Sequence, residues 1–262
     1  MRSRFVCLLA CALTTAPMAS PALAAKPGAP PHEFPWAKRV REATRFLAGR
    51  IGSASFAVVD ERARTHGYRR DVQYSSASLV KAMLLVAYLD RRDVRRRALR
   101  RSERRLLGPM VRVSDNDAAS AIYARVGIDG LERLAHRSGM RRFAASPVWG
   151  GCQVAARDQA HFFSRIRSLL SARHREYGLA LLHQIVSYER WGIPQATPPG
   201  WRLYFKGGWF RDADGWRVHQ AALLRRGDRR IAIAVLTRGG PSLEYGAATI
   251  TGVTARLLHG YR

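Results

Sequence analysis

Ser78-Leu79-Val80-Lys81-Ala82-Met83-Leu84-Leu85-Val86-Ala87-Tyr88-Leu89 runs without a Gly or a Pro, and Lys81 is its single charge. Such a run predicts a buried helix that opens near Ser78. What lies on either side decides the fold. Upstream, Trp36 to Ala48 carries Val40, Ala43, Phe46 and Leu47 at helical spacing. Ser53 to Val59 then reads as a buried strand, with Thr65 to Tyr68 as its hairpin partner. Downstream, helical patterns continue through Ala118–Val126, Leu131–Ser138, Ala156–Leu170 and Tyr177–Tyr188, until Pro194, Pro198, Pro199 and Gly200 interrupt them.

The last third changes period. Trp201 to Phe210, Trp216 to Leu224 and Arg230 to Thr237 read as strands joined by short turns at 211–215 and 226–228, the connections expected of antiparallel neighbours. Ile231 to Leu236 is apolar on both faces and predicts a strand covered on both sides. Leu243 to Leu258 predicts a closing helix, which would supply one cover while the Trp36 helix supplies the other. The fold class is therefore α/β in the α+β sense. An antiparallel sheet is flanked by N- and C-terminal helices, with an inserted all-α lobe. One domain is expected over 36–262, with a sheet lobe of about 36–73 and 200–262 and a helical lobe of about 74–199. A cleft between two such lobes is a natural site.

The chain has 45 Lys and Arg residues, of which four are lysines, against 19 acidic residues, for a net charge of +26. Where Arg is so strongly preferred, retained lysines draw notice, because Lys can lose its proton and Arg cannot. Lys81 stands three residues after Ser78, and Lys206 opens Lys206-Gly207-Gly208. On a helix, residues three apart share a face with Cβ atoms about 5–6 Å apart, so the amine is expected to reach the Ser hydroxyl. To accept a proton it must be neutral, which requires lowering a pKa near 10.4 by about 3 units. Burial supplies part of that. A second cation about 5 Å away supplies on the order of 3 kcal/mol at an effective dielectric near 20, and Lys206 across the cleft is the candidate.

Ser114-Asp115-Asn116 lies between these two lysines, just before a predicted helix. Ser-x-x-Lys, then Ser-Asp-Asn, then Lys-Gly-Gly within a strand resembles the ordered motif set of the class A serine β-lactamases and related penicillin-binding peptidases. The resemblance runs from about Trp36 to the C-terminus. It implies Ser78 as acylated nucleophile and Lys81 as its base or proton carrier. Ser114 would be a proton relay to the leaving nitrogen, with Lys206, and Asn116 would hold Lys81 or the substrate amide. Gly207, Gly208 and Trp209 would bind substrate, the backbone N–H groups of Ser78 and Trp209 forming an oxyanion hole. Taken from the residues alone, Ser114 and Asp115 are equally readable as a helix cap, and the two glycines as a strand bulge.

Two departures stand out. The family's deacylating Glu lies on a loop that should fall here between Gly139 and Asp158, and no acidic residue precedes Asp158 in it. Asp158 itself reads as structural. Gly207 replaces a Thr or Ser whose hydroxyl helps the family hold a substrate carboxylate. The implied activity is an exported serine hydrolase acting through an acyl-enzyme on β-lactams or related amides and esters, peptidoglycan stem peptides included. The alternative is a non-catalytic or deacylation-impaired wall-binding protein of the same fold.

Several further expectations complete the reading. Residues 1–24 read as a signal peptide with a small-x-small cleavage site, and Cys11 only loosely fits a lipidation site. Residues 25–35 read as a Pro-rich linker, so the mature protein is expected to be secreted, periplasmic or in the cell envelope. No later stretch is long and apolar enough to span a membrane. The Arg91–Arg105 stretch lacks interleaved aromatics and matches no nucleic-acid motif. It reads as a solvated Arg-rich face, with attraction to anionic wall material alongside. The His spacing and lone Cys152 suggest no metal and no cofactor. His219 reads as a satisfied strand histidine, Trp149 as core and Trp209 as lining the cleft.

Overall fold

A computed structural model describes residues 34–261; the signal-peptide reading and nearly all of the linker reading lie outside the described residues. Strands β1 (Ser53–Val59), β2 (Thr65–Tyr68), β5 (Arg202–Asp212), β6 (Gly215–Arg226) and β7 (Arg229–Gly240) form one sheet in the order β2-β1-β7-β6-β5. Every pairing in it is antiparallel. Two short strands missed by the sequence reading, β3 (Gln73–Ser75) and β4 (Gln153–Ala155), pair separately. The helices are α1 (Trp36–Ala48), α2 (Lys81–Leu89), α3 (Arg101–Arg112), α4 (Asn116–Ser138), α5 (Ala156–Leu169), α6 (Arg175–His183), α7 (Ile193–Ala196) and α8 (Leu243–Leu257).

Period-two alternation sorts the sheet into two faces. Phe56, Val58, Ile231, Ile233 and Val235 join one hydrophobic cluster with Trp36, Ala43, Ile250 and Val253 of α1 and α8. Ala57, Ala221, Ala232, Ala234 and Leu236 join the other, with α2, α4 and α5. This corrects one expectation. The terminal helices do not cover opposite faces; they pack side by side on one, and α5 from the inserted block covers the other. The alanines explain it, since small side chains let a helix lie close against the strands.

In the inserted block, α2 buries every residue except Ala87, as expected of a central helix that is apolar all round. The two helices read from Ala118 and Leu131 are both present within α4, which breaks between them at Gly127, whose φ of 68° and ψ of 176° no helix contains. The Arg-rich stretch is partly structural rather than wholly solvated. Arg97 forks onto buried Glu103 (2.8 and 2.6 Å), which also accepts from Tyr88 (3.0 Å) and from the Arg100 amide that opens α3 (2.7 Å). No described helix is long and apolar enough to cross a membrane.

Candidate active site

Ser78 stands on a tight turn rather than on a regular helix. Residues Ala77–Val80 form a 3₁₀ turn that leads directly into α2, and Lys81 is that helix's first residue. Ala77 has φ of 48°, a left-handed conformation costing a non-Gly residue roughly 1–2 kcal/mol. The chain is pinned just before it, where the Ser76 amide donates to the Cys152 carbonyl (2.7 Å). Such strain, held by surrounding contacts, is typical of functional turns. It leaves Ser78 half-exposed at the cleft while its neighbours Leu79 and Val80 are fully buried.

The expected reach of Lys81 to Ser78 takes a different form. Lys81 is fully buried, and among the described residues no hydrogen bond joins its amine to Ser78. Its Nζ donates to the Ser114 carbonyl and to Asn116 Oδ1 (2.8 Å), with Ser114 Oγ at 3.4 Å. Trp149 covers it, ring centroid 4.8 Å away. Burial, then the charge of Lys206, pull its pKa down to about 7, against the opposing pull of Glu189 and Asp115. A neutral amine has two N–H groups and one lone pair. The Ser114 carbonyl and Asn116 take the donors, which leaves the lone pair to accept a proton.

The structure divides Ser114-Asp115-Asn116 between a helix cap and contacts to Lys81. Asp115 caps α4, its Oδ1 accepting from the Ala118 amide (2.7 Å). Ser114 does not cap; its φ of 56° turns its carbonyl and hydroxyl to Lys81.

β5 forms the opposite wall. It is the sheet's edge, so alternate N–H groups are left free of the sheet. A Cβ at Gly208 would fall 2.5 Å from the Leu79 nitrogen and 2.7 Å from that of Ser78. Only glycine lets the strand approach the Ser78 turn this closely. That approach brings β5 at Gly208 against the Ser78 turn, and Trp209, the next residue, lines the same cleft as Ser78.

Lys206 is fully buried, donating to Glu189 Oε2 (3.2 Å) and to the Gly207 carbonyl (2.9 Å). Burial pulls its pKa down and Glu189 pulls it back up. Among the described residues no hydrogen bond joins Lys206 to Ser114. Glu189, also buried, escaped the sequence reading. Its signal was an acidic residue beside Arg190, set between the aromatic Tyr188 and Trp191.

Trp191 is the second residue missed. A Cβ at Gly207 would lie 3.2 and 3.3 Å from its ring atoms, so the indole fills the room a Thr side chain would need. Trp191 in turn meets Trp209 edge-on, centroids 5.7 Å apart. Gln220 fixes this turn, donating to the Trp191 carbonyl (2.7 Å) and accepting from the Ile193 amide (2.7 Å). Between them Gly192, at φ 71°, leaves no room for a Cβ against Gln220 Oε1.

The cleft has a volume of about 500 Å³ and is lined by Ser78, Asn116, Trp149, Trp209, Phe210 and Asp212 among others. Trp149 packs against the core, as expected, and also lines the cleft, because a 3₁₀ turn at Trp149–Gly151 lays its indole over Lys81. His219 is buried with Nε2 on the Ser75 carbonyl (3.0 Å) and Nδ1 accepting the Thr237 amide (3.1 Å). Burial drops its pKa to about 4, so it stays neutral. Asp158 turns away from the cleft to accept the Arg141 and Arg142 amides (3.0 and 2.7 Å). Cys152 is a buried free thiol, and the described residues hold no cluster of metal-ligating groups.

A two-lobed α+β fold with a strained serine turn facing a lysine strand defines a class A β-lactamase-like architecture. The sequence model of the β-lactamase enzyme family matches residues 95–261, and the chain belongs to that family. No curated protein matches it. Among solved structures, a class A β-lactamase from Bacteroides cellulosilyticus superposes with a TM-score of 0.75 at 15% identity, covering 86% of this chain and 98% of its own. The β-lactamase from Sphaerobacter thermophilus gives 0.72 at 20%, covering 87% and 97%. A class A β-lactamase from Mycobacterium abscessus gives 0.72 at 19%, covering 85% and 99%. At these identities the likeness establishes the fold.

Proposed function

We propose that the protein is an exported serine hydrolase that acylates Ser78 with β-lactams or related amides and esters and releases the product slowly. The observation that carries this reading is Lys81: buried, with a pKa near 7, and hydrogen-bonded to Ser114 and Asn116 beside Ser78. As Ser78 Oγ bonds to the carbonyl carbon, its proton passes to the Lys81 lone pair. The carbonyl oxygen gains negative charge and accepts from the Ser78 and Trp209 amides; such a donor contributes roughly 3–4 kcal/mol to the transition state. The carbon–nitrogen or carbon–oxygen bond then breaks, and the proton moves through Ser114 to the leaving atom. Water later cleaves the ester.

Slow release rests on the loop between Gly139 and Asp158. It brings the indole of Trp149 to Lys81, and its only carboxylate, Asp158, is occupied by two backbone amides. Lys81 with a water is the remaining base for deacylation.

Intact-mass measurement after exposure to a penicillin and to a reactive aryl ester tests this. One covalent adduct per chain is expected, located on Ser78 and absent from Ser78→Ala, with a burst of released phenol followed by slow turnover. A wild-type chain that gains no adduct from either reagent overturns the reading.

A further inference from the structure

Lys206 on β5 and Arg217 on β6, which pairs in register with the cleft residue Phe210, are each held by carboxylates. Lys206 is buried against Glu189. Arg217 lies 5.3 Å from the Phe210 ring and donates to Asp212 (2.5 Å), with Asp214 at 3.6 Å. Arg211, between Phe210 and Asp212, is exposed and lines no part of the cleft. The cleft lining holds no Arg or Lys at all; its only charged residue is Asp212.

In a chain with 45 basic and 19 acidic residues, that distribution runs against composition. Three of the scarce carboxylates stand where they cancel positive charge at the cleft. Apart from the neutral polar Ser75, Ser78 and Asn116, the lining is largely flat and apolar: Trp149, Trp209 and Phe210 face the space, with exposed Val148 at its rim. Gly207 has no side chain to donate a hydrogen bond, and Trp191 occupies the room for one.

We propose that the cleft selects uncharged acyl donors bearing a flat apolar group and discriminates against donors that carry a carboxylate. Among the described residues lining the cleft a carboxylate finds no cation and meets the charge of Asp212, a like-charge contact that disfavours binding. An aryl ring finds three aromatic surfaces. This inference rests on the Ser78 acylation reading and narrows its substrate class.

The test uses two phenylacetylglycyl phenyl esters that differ only in a meta-carboxylate or a meta-carboxamide on the phenyl ring. Both deliver the same acyl group, so the acyl-enzyme on Ser78 has one mass and the rates differ only through the donor. Released phenol gives the second-order acylation rate. The carboxamide ester is expected to react at least ~10-fold faster. Glu189→Gln, which frees the Lys206 charge, and Asp212→Asn, which frees Arg217, are expected to shrink that ratio. Asp212 is partly exposed, so its variant keeps the test sound should Glu189→Gln fold poorly. A carboxylate ester that reacts as fast as its partner or faster, or a ratio unchanged in both variants, overturns the inference. If neither ester labels Ser78, the acylation reading itself falls.

Discussion

The two walls of the cleft are built on opposite plans. On the helical side, Lys81, Ser114 and Asn116 converge through hydrogen bonds, and the polar atoms face the space beside Ser78. On the β5 side, Lys206 is turned onto Glu189, and Trp191 and Trp209 pack where a polar side chain would stand at Gly207. The first wall is arranged to move a proton; the second is arranged to leave little charge for a ligand. The difference teaches that acylation chemistry and charge recognition are separable in this fold. Each is carried by different residues and is open to change alone.

Breaking the first wall has the largest expected effect. Lys81→Arg keeps the charge but removes the amine that can become neutral three residues from Ser78. Acylation by an aryl ester is expected to fall by ~10³-fold or more, read by phenol release with adduct mass as control. In the wild type the same rate should rise as pH increases through about 7, where Lys81 loses its proton, and level off above it. A flat profile from pH 5 to 9 would remove Lys81 from the role of base.

Gly208→Ala breaks the junction between the walls. Its Cβ would fall on the backbone nitrogens of Leu79 and Ser78 at 2.5 and 2.7 Å, so β5 must retreat and carry the Trp209 amide with it. Acylation is expected to drop by ~10²–10³-fold, with the thermal midpoint lowered as well. Glu189→Ala strikes the second wall alone and leaves Lys206 buried without a carboxylate partner. The expected cost is about 3 kcal/mol of stability, measured by denaturant unfolding, while the helical wall keeps its hydrogen bonds.

Much of the first wall was legible in the sequence and little of the second. Ser78 and Lys81 are three residues apart on one turn, and Ser114-Asp115-Asn116 opens a helix, so local geometry places their side chains. The strands were legible for the same reason, since a short continuous apolar run such as Ile231–Leu236, bounded by turns, is a local signal. Glu189, Trp191 and Gln220 reach the site only through tertiary contacts. Glu189 meets a lysine seventeen residues away, and Gln220 holds a turn twenty-nine residues away. No spacing rule connects such pairs. The cover of the sheet was misassigned likewise, because which helix lies on which face depended on the alanines of β7 meeting α5.

The smallest expected effect isolates Trp191. Gly207→Ala adds one methyl group 3.2 Å from Trp191 Cζ2 and 3.3 Å from Cη2. The ring must shift by a few tenths of an ångström, at a cost of about 1 kcal/mol. Trp191→Phe removes the ring atoms that cause the crowding and leaves a gap of its own. If the indole has taken the room of a β5 side chain, the two substitutions compensate, and the double variant is more stable than the sum of the singles by about 1 kcal/mol. Unfolding of the four proteins in urea closes that cycle. Strict additivity would show that Trp191 and Gly207 are neighbours without being fitted to one another, and that the missing hydroxyl, not the added ring, sets the character of this wall.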